Sequence, residues 1–339
     1  MFKTMFTATI IFSVTCFASE SAQPDAFAIN KLIGRGVNLG NALEAPKEGA
    51  WEVTLQEEYF QKIKDAGFNS IRLPIRWSVH ADDKPPYTID PAFWDRIDWA
   101  IKNAQSRDLV LIFNMHNYYE LYSDPNNHKE RFLAIWNQIA EHYKDYPETL
   151  LFEPLNEPAE KLGLNEWNVL LKETLAVIRQ SNPNRMVVIG PANYNEVYKL
   201  KNLDLPKGDR NIIVTFHYYE PYRFTHQGAP WITNQDSNSW VGMKWTGSEQ
   251  EKLRIKKDFD VAAKWGKENN RPIYLGEFGA YKKADMDSRV LWTKFVADTA
   301  AERGFSMSYW DFCANFAIYD TETKTWHKGL LDAVVPPKQ

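Results

Sequence analysis

The stretch LVLIFN at residues 109–114 is an apolar run of strand length, and KERFLAIWNQIAEHYKDY at 129–146 follows it with apolar residues at helical spacing. The next apolar run, LLFE at 150–153, leads into a second amphipathic stretch at 165–180. A strand, a helix and another strand in this order predict parallel strands, because the helix returns the chain to the edge where it started.

The same alternation continues outward in both directions. The strand-like segments are 36–39, 70–74, 109–114, 150–153, 186–190, 211–216, 272–275 and 305–309, and the helix-like segments after them are 55–66, 91–106, 129–146, 165–180, 195–200, 249–268, 286–303 and 329–334. Eight such units predict a single-domain (β/α)8 TIM barrel of the α/β class. A doubly wound open sheet is the alternative, but the segment 36–41 lacks its glycine-rich phosphate turn, so no dinucleotide cofactor is expected.

Composition and charge exclude several classes of protein. The chain has 339 residues, of which 44% are hydrophobic and 25% charged, and this is typical of a globular protein. A net charge of −4 and a pI of about 6.0 indicate no basic surface, so we expect no nucleic-acid partner. The 13 Trp residues suggest both a large core and flat surfaces on which ligands could stack.

The N-terminal segment resembles a secretory signal peptide. Lys3 precedes a mostly apolar run at 5–17, and residues 16–18 resemble a cleavage site. We therefore expect a signal peptide at 1–18, cleaved near 18–22, and a barrel domain at 28–335; a buried N-terminal helix is the alternative. The mature protein would be a secreted or periplasmic monomer without membrane contact. It would keep only Cys313, which excludes an internal disulfide.

Polar side chains recur where the predicted strands end. In a barrel of this kind, functional groups lie at the C-terminal ends of the strands. We therefore expect one site to be built from Asn38, Asn41, Glu44, Arg72, His116, Asn117, Asn156, Glu157, His217, Tyr219, Glu277 and Trp310.

Two carboxylates among these residues indicate the chemistry. Glu157 and Glu277 follow strands 4 and 7, which lie nearly opposite each other in an eight-stranded barrel. Retaining glycosidases use two carboxyl groups about 5–5.5 Å apart, one as nucleophile and one as acid and base. Arg72 could keep the nucleophile ionised, and His217 and Tyr219 could position the pair by hydrogen bonding.

Other carboxylates and a metal site are the alternatives to this pair. Glu153 precedes a proline and is interpreted as a structural group, whereas Glu220 could compete with Glu277 but lies beyond its strand on a loop. No close metal-ligand spacing such as H-E-x-x-H occurs, so no metal is expected.

The long segment 220–248 carries many aromatic residues. Loops of this length are usually functional or disordered. Aromatic faces suit the CH faces of sugar rings, although the loop could instead pack on its own side chains. The residues concerned are Tyr222, Phe224, His226, Trp231, Trp240 and Trp245, and Trp310 is the better single candidate for a sugar platform.

Several motifs together resemble glycoside hydrolase family 5. Leu-Phe-Glu-Pro-Leu-Asn-Glu-Pro at 151–158 and Tyr-Leu-Gly-Glu-Phe-Gly at 274–279 resemble its acid/base and nucleophile signatures. The segments 36–44, 71–74, 216–219 and 309–310 fit the family as well, and the resemblance extends from about residue 33 to 333. It implies a (β/α)8 barrel, retention of anomeric configuration and no cofactor.

The resemblance also implies a role for each matching residue. Glu157 would be the general acid/base and Glu277 the nucleophile, with Arg72 ordering Glu277 and with His217 and Tyr219 around it. Asn156 would bind the sugar 2-hydroxyl, and Trp310 would form the floor of the sugar site before the cleaved bond. The remaining cleft would be lined by Asn41, Glu44, His116, His226 and Trp231.

The segments 41–46 and 224–228 are most similar to bacterial endo-β-1,4-glucanases, some of which also accept mannan. We therefore expect a secreted retaining endo-β-1,4-glucanase that acts on β-linked polysaccharide, with a β-mannanase or mixed-linkage β-glucanase as the alternative. Asn117 stands where similar enzymes often carry a second His, which leaves the glucan-versus-mannan preference open. A carbohydrate-binding barrel without catalysis is a further alternative. An isomerase or aldolase is disfavoured, since no phosphate-binding glycine pattern or Schiff-base lysine occurs.

Overall fold

A computed structural model of the chain describes Met1 and residues 25–337. The predicted signal peptide at 1–18 lies outside the described residues apart from Met1, and so does Cys16. Eight strands pair in parallel and in chain order into a closed barrel, which confirms the predicted fold. They are β1 (Arg35–Asn38), β2 (Ser70–Leu73), β3 (Val110–Asn114), β4 (Leu150–Glu153), β5 (Val187–Ile189), β6 (Ile212–Tyr218), β7 (Ile273–Phe278) and β8 (Ser306–Tyr309).

Helices surround this barrel, as the alternating pattern predicts. The α-helices of the described residues are α1 (Ala26–Ile33), α2 (Glu57–Asp65), α3 (Pro91–Gln105), α4 (Tyr119–Ser123), α5 (Pro125–His142), α6 (Leu164–Ser181), α7 (Tyr222–Thr225), α8 (Glu249–Asn269), α9 (Met286–Glu302) and α10 (Lys328–Val334). A two-stranded hairpin of β9 (Tyr319–Asp320) and β10 (Thr325–Trp326) precedes α10. Between residues 25 and 337, no helix is both long and apolar enough to cross a membrane.

Two of the predicted helical segments differ from the observed ones by more than two residues or in type. α5 begins at Pro125 rather than at 129, because a proline fits the first helical position, where its missing N–H leaves no bond unmade. It ends at His142, four residues before the predicted end. The crossover after β5 is a 3₁₀ helix, Val197–Asn202, in place of the short helix predicted at 195–200.

Helix α1, which the strand–helix pattern did not predict, closes one end of the barrel. Its Ile29 and Ile33 join a buried cluster with side chains that point into the barrel, such as Ile112 and Ile213. Asn30 donates from Nδ2 to the carbonyl of Ile273 at 3.1 Å. This apolar plug fills the N-terminal mouth, and the opposite mouth is therefore left for the polar side chains at the strand ends.

Candidate active site

The barrel interior beneath the open mouth holds a buried guanidinium, that of Arg72 on β2. Its Nε and Nη2 donate to the two carboxylate oxygens of Glu153, each at 2.7 Å. Nη1 donates to Asn38 Oδ1 at 2.9 Å and to Glu277 Oε1 at 2.7 Å. Nη2 also donates to Asn156 Oδ1 at 2.6 Å. Arg72 thus connects side chains from β1, β4 and β7, and the structure places Glu153 beneath the site as a buried ion-pair partner.

A bulge in β7 aims Glu277 into the mouth. Leu275 pairs with Phe216, but Glu277 then pairs with His217, so Gly276 is an extra residue on the β7 side. A Cβ on Gly276 would lie 3.0 Å from His217 Nε2, so a side chain there would crowd the histidine. The strands continue to Phe278 and Tyr218, beyond the predicted ends at 275 and 216, because this register shift keeps them paired.

Both oxygens of Glu277 are held by donors. Oε1 accepts from Arg72, and Oε2 accepts from the Tyr219 hydroxyl at 2.8 Å. Burial, together with the charges of Glu277 and Glu157, raises the pKa of Tyr219 well above its usual value, so the hydroxyl keeps its proton. Glu277 is therefore fixed in one orientation beside a positive charge, as a carboxylate nucleophile requires.

Glu157 has a different environment. It lies four residues beyond the end of β4, and a quarter of its side chain is exposed to the mouth. Burial raises the pKa of Glu157 to about 8; the charge of Arg72 opposes this rise and that of Glu153 adds to it. Glu157 therefore keeps its proton at neutral pH and can act as an acid.

His217 lies between the two carboxyl groups. Its Nδ1 is 2.6 Å from Glu157 Oε1 and 3.6 Å from Glu277 Oε2. Burial lowers the pKa of His217 to about 4; Glu277 opposes this shift and the charge of Arg72 adds to it, so the ring is neutral near pH 7. One carboxylate oxygen of Glu157, one of Glu277 and one ring nitrogen of His217 all lie within 4.8 Å of one another. The two carboxyl groups are therefore as close together as a retaining mechanism needs. The same trio could hold a metal ion, and the expectation of a metal-free site stays a prediction.

Trp310 forms one wall of the mouth. Its ring is parallel to that of His116, with a centroid separation of 5.5 Å and an interplanar angle of 12°. Asn114 Nδ2 lies 3.2 Å from Nδ1 of His116, which is 7% exposed. Trp310 is partly exposed, and its ring passes over Gly40, where a Cβ would come within 3.0 Å of the indole. An indole face held in this way suits stacking against a sugar ring.

The three predicted cleft residues on the β1 and β3 loops are placed differently from one another. Asn41 and Asn117 are partly exposed, whereas Glu44 is only 1% exposed. The Glu44 carboxyl accepts from the backbone N–H groups of Asn41 and Ala42, and Asn117 Nδ2 donates to the Glu44 carbonyl at 3.3 Å. Burial raises the pKa of Glu44 to about 8. The buried Glu44 carboxyl thus holds the backbone of the β1 loop in place, and little of its side chain is exposed to a ligand in the mouth.

The aromatic loop at 220–248 divides into two parts. Trp231 and Tyr222 are 45% and 38% exposed, and His226 stacks on Tyr222 with centroids 4.2 Å apart. In contrast, Trp240 and Trp245 are buried at 7% and 2% exposure. Trp231 and Tyr222 can therefore meet a ligand, whereas His226 is only 7% exposed. Trp240 packs against Tyr222 of the same loop, as the alternative for this segment predicts, and Trp245 packs against Phe295 of α9.

The sequence gives no role to two residues that the structure places in the site. Asn38 was noted at a strand end without a role, but it donates to the carbonyls of Gly276 and Ser308 and accepts from Arg72. Asn195 is predicted only as the start of a short helix at 195–200, although it contacts His217. A polar residue inside an apolar strand was the available signal for Asn38; no such signal marks Asn195, because it lies in a loop. Glu220 is exposed and accepts from the Tyr222 backbone N–H at 3.2 Å.

Comparisons with known proteins agree on one family. The model of the cellulase family, described as glycosyl hydrolase family 5, matches residues 34–316. Endoglucanase H of Acetivibrio thermocellus is 38% identical over 326 residues, which cover 94% of this chain and 35% of that protein. Cellulase/esterase CelE of the same organism is 29% identical over 89% of this chain and 39% of its own length. The chain therefore spans little more than a third of these two relatives.

Several solved structures are matched by this chain over their whole length. Cel5A of Thermotoga maritima, crystallised in complex with mannotriose, has a TM-score of 0.90 and 50% identity, covering 92% of this chain and all of that chain. A structure of the same protein in complex with cellobiose gives the same values. A hyperthermophilic endo-β-1,4-glucanase in complex with substrate has a TM-score of 0.90 and 48% identity over 93% of this chain and all of its own.

Proposed function

This chain belongs to the cellulase family, glycosyl hydrolase family 5, and we propose that it is a retaining endo-β-1,4-glucanase that hydrolyses β-linked glucan. The observation that carries the proposal is the pair of carboxyl groups in unlike environments. Glu157 is protonated at neutral pH, and Glu277 is ion-paired to Arg72, with oxygens of the two within 4.8 Å of each other. An acid and a nucleophile at this separation support double displacement.

In the first step, Glu277 attacks the anomeric carbon while Glu157 passes its proton to the glycosidic oxygen. The C–O bond to the leaving chain breaks, and a covalent glycosyl–enzyme ester forms. In the second step, Glu157, now a carboxylate, removes a proton from water, and the resulting attack releases Glu277. Two inversions give net retention. Arg72 and Tyr219 each donate a hydrogen bond to one oxygen of Glu277. They can therefore stabilise its negative charge before the ester forms and again when the ester is hydrolysed.

The substrate would be a β-1,4-linked polysaccharide in the mouth of the barrel. Trp310, Trp231 and Tyr222 offer exposed or partly exposed aromatic rings. Asn156 and the partly exposed Asn41 and Asn117 supply polar groups for sugar hydroxyls. The names of several relatives support glucan as the substrate.

A β-mannanase or mixed-linkage activity is the second candidate. The observation that favours it is the mannotriose complex of Thermotoga maritima Cel5A, a protein 50% identical to this chain. Reducing-end release from carboxymethylcellulose, mannan, xylan and lichenan would separate the candidates. We expect the highest rate on a β-1,4-glucan, and faster cleavage of mannan would make the second candidate the main function.

The protein is further proposed to be exported to the periplasm or medium. Residues 1–18 would be removed as a signal peptide, and residues 28–335 would act as a monomeric catalytic barrel without metal or cofactor. The sequence pattern at 3–18 supports export. N-terminal sequencing of protein recovered outside the cytoplasm should find a start near 18–22, and an intact Met1 there would contradict the proposal.

Glu277→Ala tests the nucleophile directly. Turnover of an aryl β-cellobioside should fall by several orders of magnitude, because no carboxylate remains to form the ester. Added azide should restore part of the rate and give a glycosyl azide of inverted configuration, since the small anion fits the vacated space.

Glu220→Ala is the matched control, because Glu220 is an exposed loop carboxylate in the same segment as Tyr219. It should keep nearly full activity. Full activity in Glu277→Ala would remove the assignment, and tight glucan binding by the wild type without any product over hours would favour a non-catalytic binding protein.

A further inference from the structure

A loop residue outside the predicted site touches its central histidine. Asn195 is fully buried in the loop after β5, and its Nδ2 lies 2.6 Å from the carbonyl oxygen of Asn156 and 3.2 Å from His217 Nε2. The backbone N–H of His217 also donates to the Asn195 carbonyl at 3.1 Å. Asn195 is therefore linked to both the histidine and the residue before Glu157.

The orientation of the Asn195 amide follows from its neighbours. A carbonyl oxygen can only accept, so the side-chain atom 2.6 Å from the Asn156 carbonyl must be the NH₂ group. This nitrogen has no lone pair to offer, and it also faces His217 Nε2. Nε2 must then be the unprotonated nitrogen of a neutral imidazole, and the ring proton is on Nδ1.

This tautomer decides what Glu157 can do with its proton. His217 Nδ1 donates to Glu157 Oε1 across 2.6 Å, so Oε1 is an acceptor and the acid proton is carried by Oε2. In the other tautomer, Nδ1 would accept the Glu157 proton, and that proton would point at the histidine instead of at a leaving group. We propose that Asn195 is a positioning residue that holds His217 as its Nδ1–H tautomer and thereby keeps the Glu157 proton available to the glycosidic oxygen. This inference rests on the proposed glycosidase function.

The local structure is difficult to explain by stability alone. Asn195 has a φ of 54° and follows Asn193 and Tyr194 at 66° and 61°, three successive residues in the left-handed region. Within residues 25–337, the buried Asn195 Oδ1 finds no hydrogen-bond donor. Gly190 leaves the space for this side chain, since a Cβ there would lie 2.1 Å from Oδ1. An unmade bond and left-handed backbone at one residue are typical of a functional position.

The charged and titratable groups around Glu157 and His217 come from several elements. They are Arg72 on β2, His116 after β3, Glu153 on β4, Glu277 on β7, and the tyrosines Tyr122, Tyr194, Tyr219 and Tyr222 of the surrounding loops. None of these changes when Asn195 is replaced, so a shift in the pH profile would report on the lost amide contact.

The kinetic test compares Asn195→Gly and Asn195→Asp with Asn193→Gly. Glycine removes the amide and tolerates positive φ, whereas aspartate offers only acceptors to Nε2 and favours the opposite tautomer. Asn193 is the matched control, because it is an asparagine with similar φ and an exposed side chain that pairs with Glu196.

Two substrates separate a proton defect from a general defect. For cellotetraose, whose leaving group needs a proton, kcat/KM should fall about tenfold or more in both Asn195 variants, as expected for impaired general-acid catalysis. For 2,4-dinitrophenyl β-cellobioside, whose leaving group needs no proton, the loss should be less than about threefold. Asn193→Gly should match the wild type on both substrates.

The pH profile provides a further measurement. Without the Asn195 donor, the Nε2–H tautomer becomes available, in which Nδ1 no longer donates to the Glu157 carboxylate and instead accepts the Glu157 proton. The protonated carboxyl group is then favoured, so the alkaline limb of kcat/KM for cellotetraose should move to higher pH by about one unit in Asn195→Gly, the equivalent of one lost hydrogen bond. Equal losses on both substrates with an unmoved alkaline limb would overturn the proposal.

Nitrogen NMR of ¹⁵N-histidine-labelled protein reads the tautomer without any assay of activity. At pH 7 the wild-type His217 should carry its proton on Nδ1, and Asn195→Asp should move it to Nε2 or protonate both nitrogens. A wild-type Nε2–H signal would refute the inference even if the variants do not fold. Absence of turnover by the wild type on both substrates, with the Nδ1–H signal present, would instead contradict the glycosidase function.

Discussion

Arg72 is the residue on which the site depends most. Each of its five N–H groups has an acceptor, and those acceptors come from β1, β4, β7 and the loop after β4. Two of its partners, Glu153 and Glu277, are buried carboxylates. Because the guanidinium is planar and presents its donors at fixed angles, it can satisfy all of them at once, which an ammonium group cannot.

Arg72→Lys should therefore be strongly destabilising even though the charge is kept. Lysine has three donors, so at least two acceptors would lose their partner, and each buried unpaired group costs about 1–3 kcal/mol. Urea unfolding should show a loss of about 2–6 kcal/mol. The matched control is Arg96→Lys: Arg96 also binds a carboxylate, Glu48, through two nitrogens, but its side chain is 28% exposed.

The control should lose no more than about 1 kcal/mol, since partly exposed pairs contribute little. Equal losses in the two variants would show that the number of donors at Arg72 has no special importance.

Among the elements, β7 and α8 show how local sequence sets local geometry. Gly276 allows the bulge in β7 that aligns Glu277 with His217. Helix α8 starts at a capping box, in which Ser248 Oγ accepts from the Glu251 N–H and the Glu251 carboxylate accepts from the Ser248 N–H at 2.8 Å. The box fixes where the aromatic loop ends and the helix begins.

Ser248→Ala should destabilise the protein by about 1 kcal/mol, because loss of the cap leaves one helical N–H without its acceptor. Ser248→Asn, which offers an equivalent oxygen, should restore most of the loss. Both effects are measurable as shifts of the urea midpoint with an unchanged slope. If Ser248→Asn is as unstable as Ser248→Ala, the loss of the capping oxygen does not explain the instability. Activity should stay unchanged, since α8 begins outside the site.

At the scale of the whole molecule, buried ionisable groups make stability depend on pH in two opposite ways. The pKa values of Glu44 and Glu157 are raised to about 8 by burial, so these groups favour folding below their unfolded pKa and lose this contribution as the pH rises towards 8. Burial lowers the pKa values of His217 and His226 to about 4 and about 3. These histidines favour folding above their unfolded pKa and lose this contribution as the pH falls through the folded values.

Stability should therefore be highest between about pH 4.5 and 6.5, where the two trends oppose each other, and should decline towards pH 8 and pH 3. Glu44→Gln should make the decline from pH 6.5 to 8 shallower by up to about 1.4 kcal/mol per pH unit, the slope of one titrating group. Urea unfolding at a series of pH values measures this slope.

The control is Glu249→Gln, because the Glu249 side chain is 94% exposed and should leave the slope as in the wild type. An unchanged slope in Glu44→Gln would mean that Glu44 titrates in the folded protein as it does in the unfolded chain.

Much of the fold could be predicted because its signals are local. The sequence predicts β2, β3, β4, α3 and α6 to within one or two residues of their observed bounds. This is possible because the apolar periodicity of a strand or helix is visible among residues close together in the sequence. α1 was missed because its role is to plug a barrel that exists only after folding. The longer β6 and β7 were missed because Gly276 looks like an end of a strand until its partner strand is known.

The sequence by itself determined the order of strands and helices and the family, and it singled out the two glutamates proposed as catalytic, one after β4 and one in β7. Only the tertiary structure decided how these groups differ. Glu157 holds its proton because of its burial and the charges of Arg72 and Glu153, and Glu44 is buried because of the way the loop after β1 folds around it. Which nitrogen of His217 is protonated depends on its contact with Asn195. These residues are far apart in the sequence, and desolvation and Coulomb energies depend on separation in space, so the chain must close into a barrel before such properties exist.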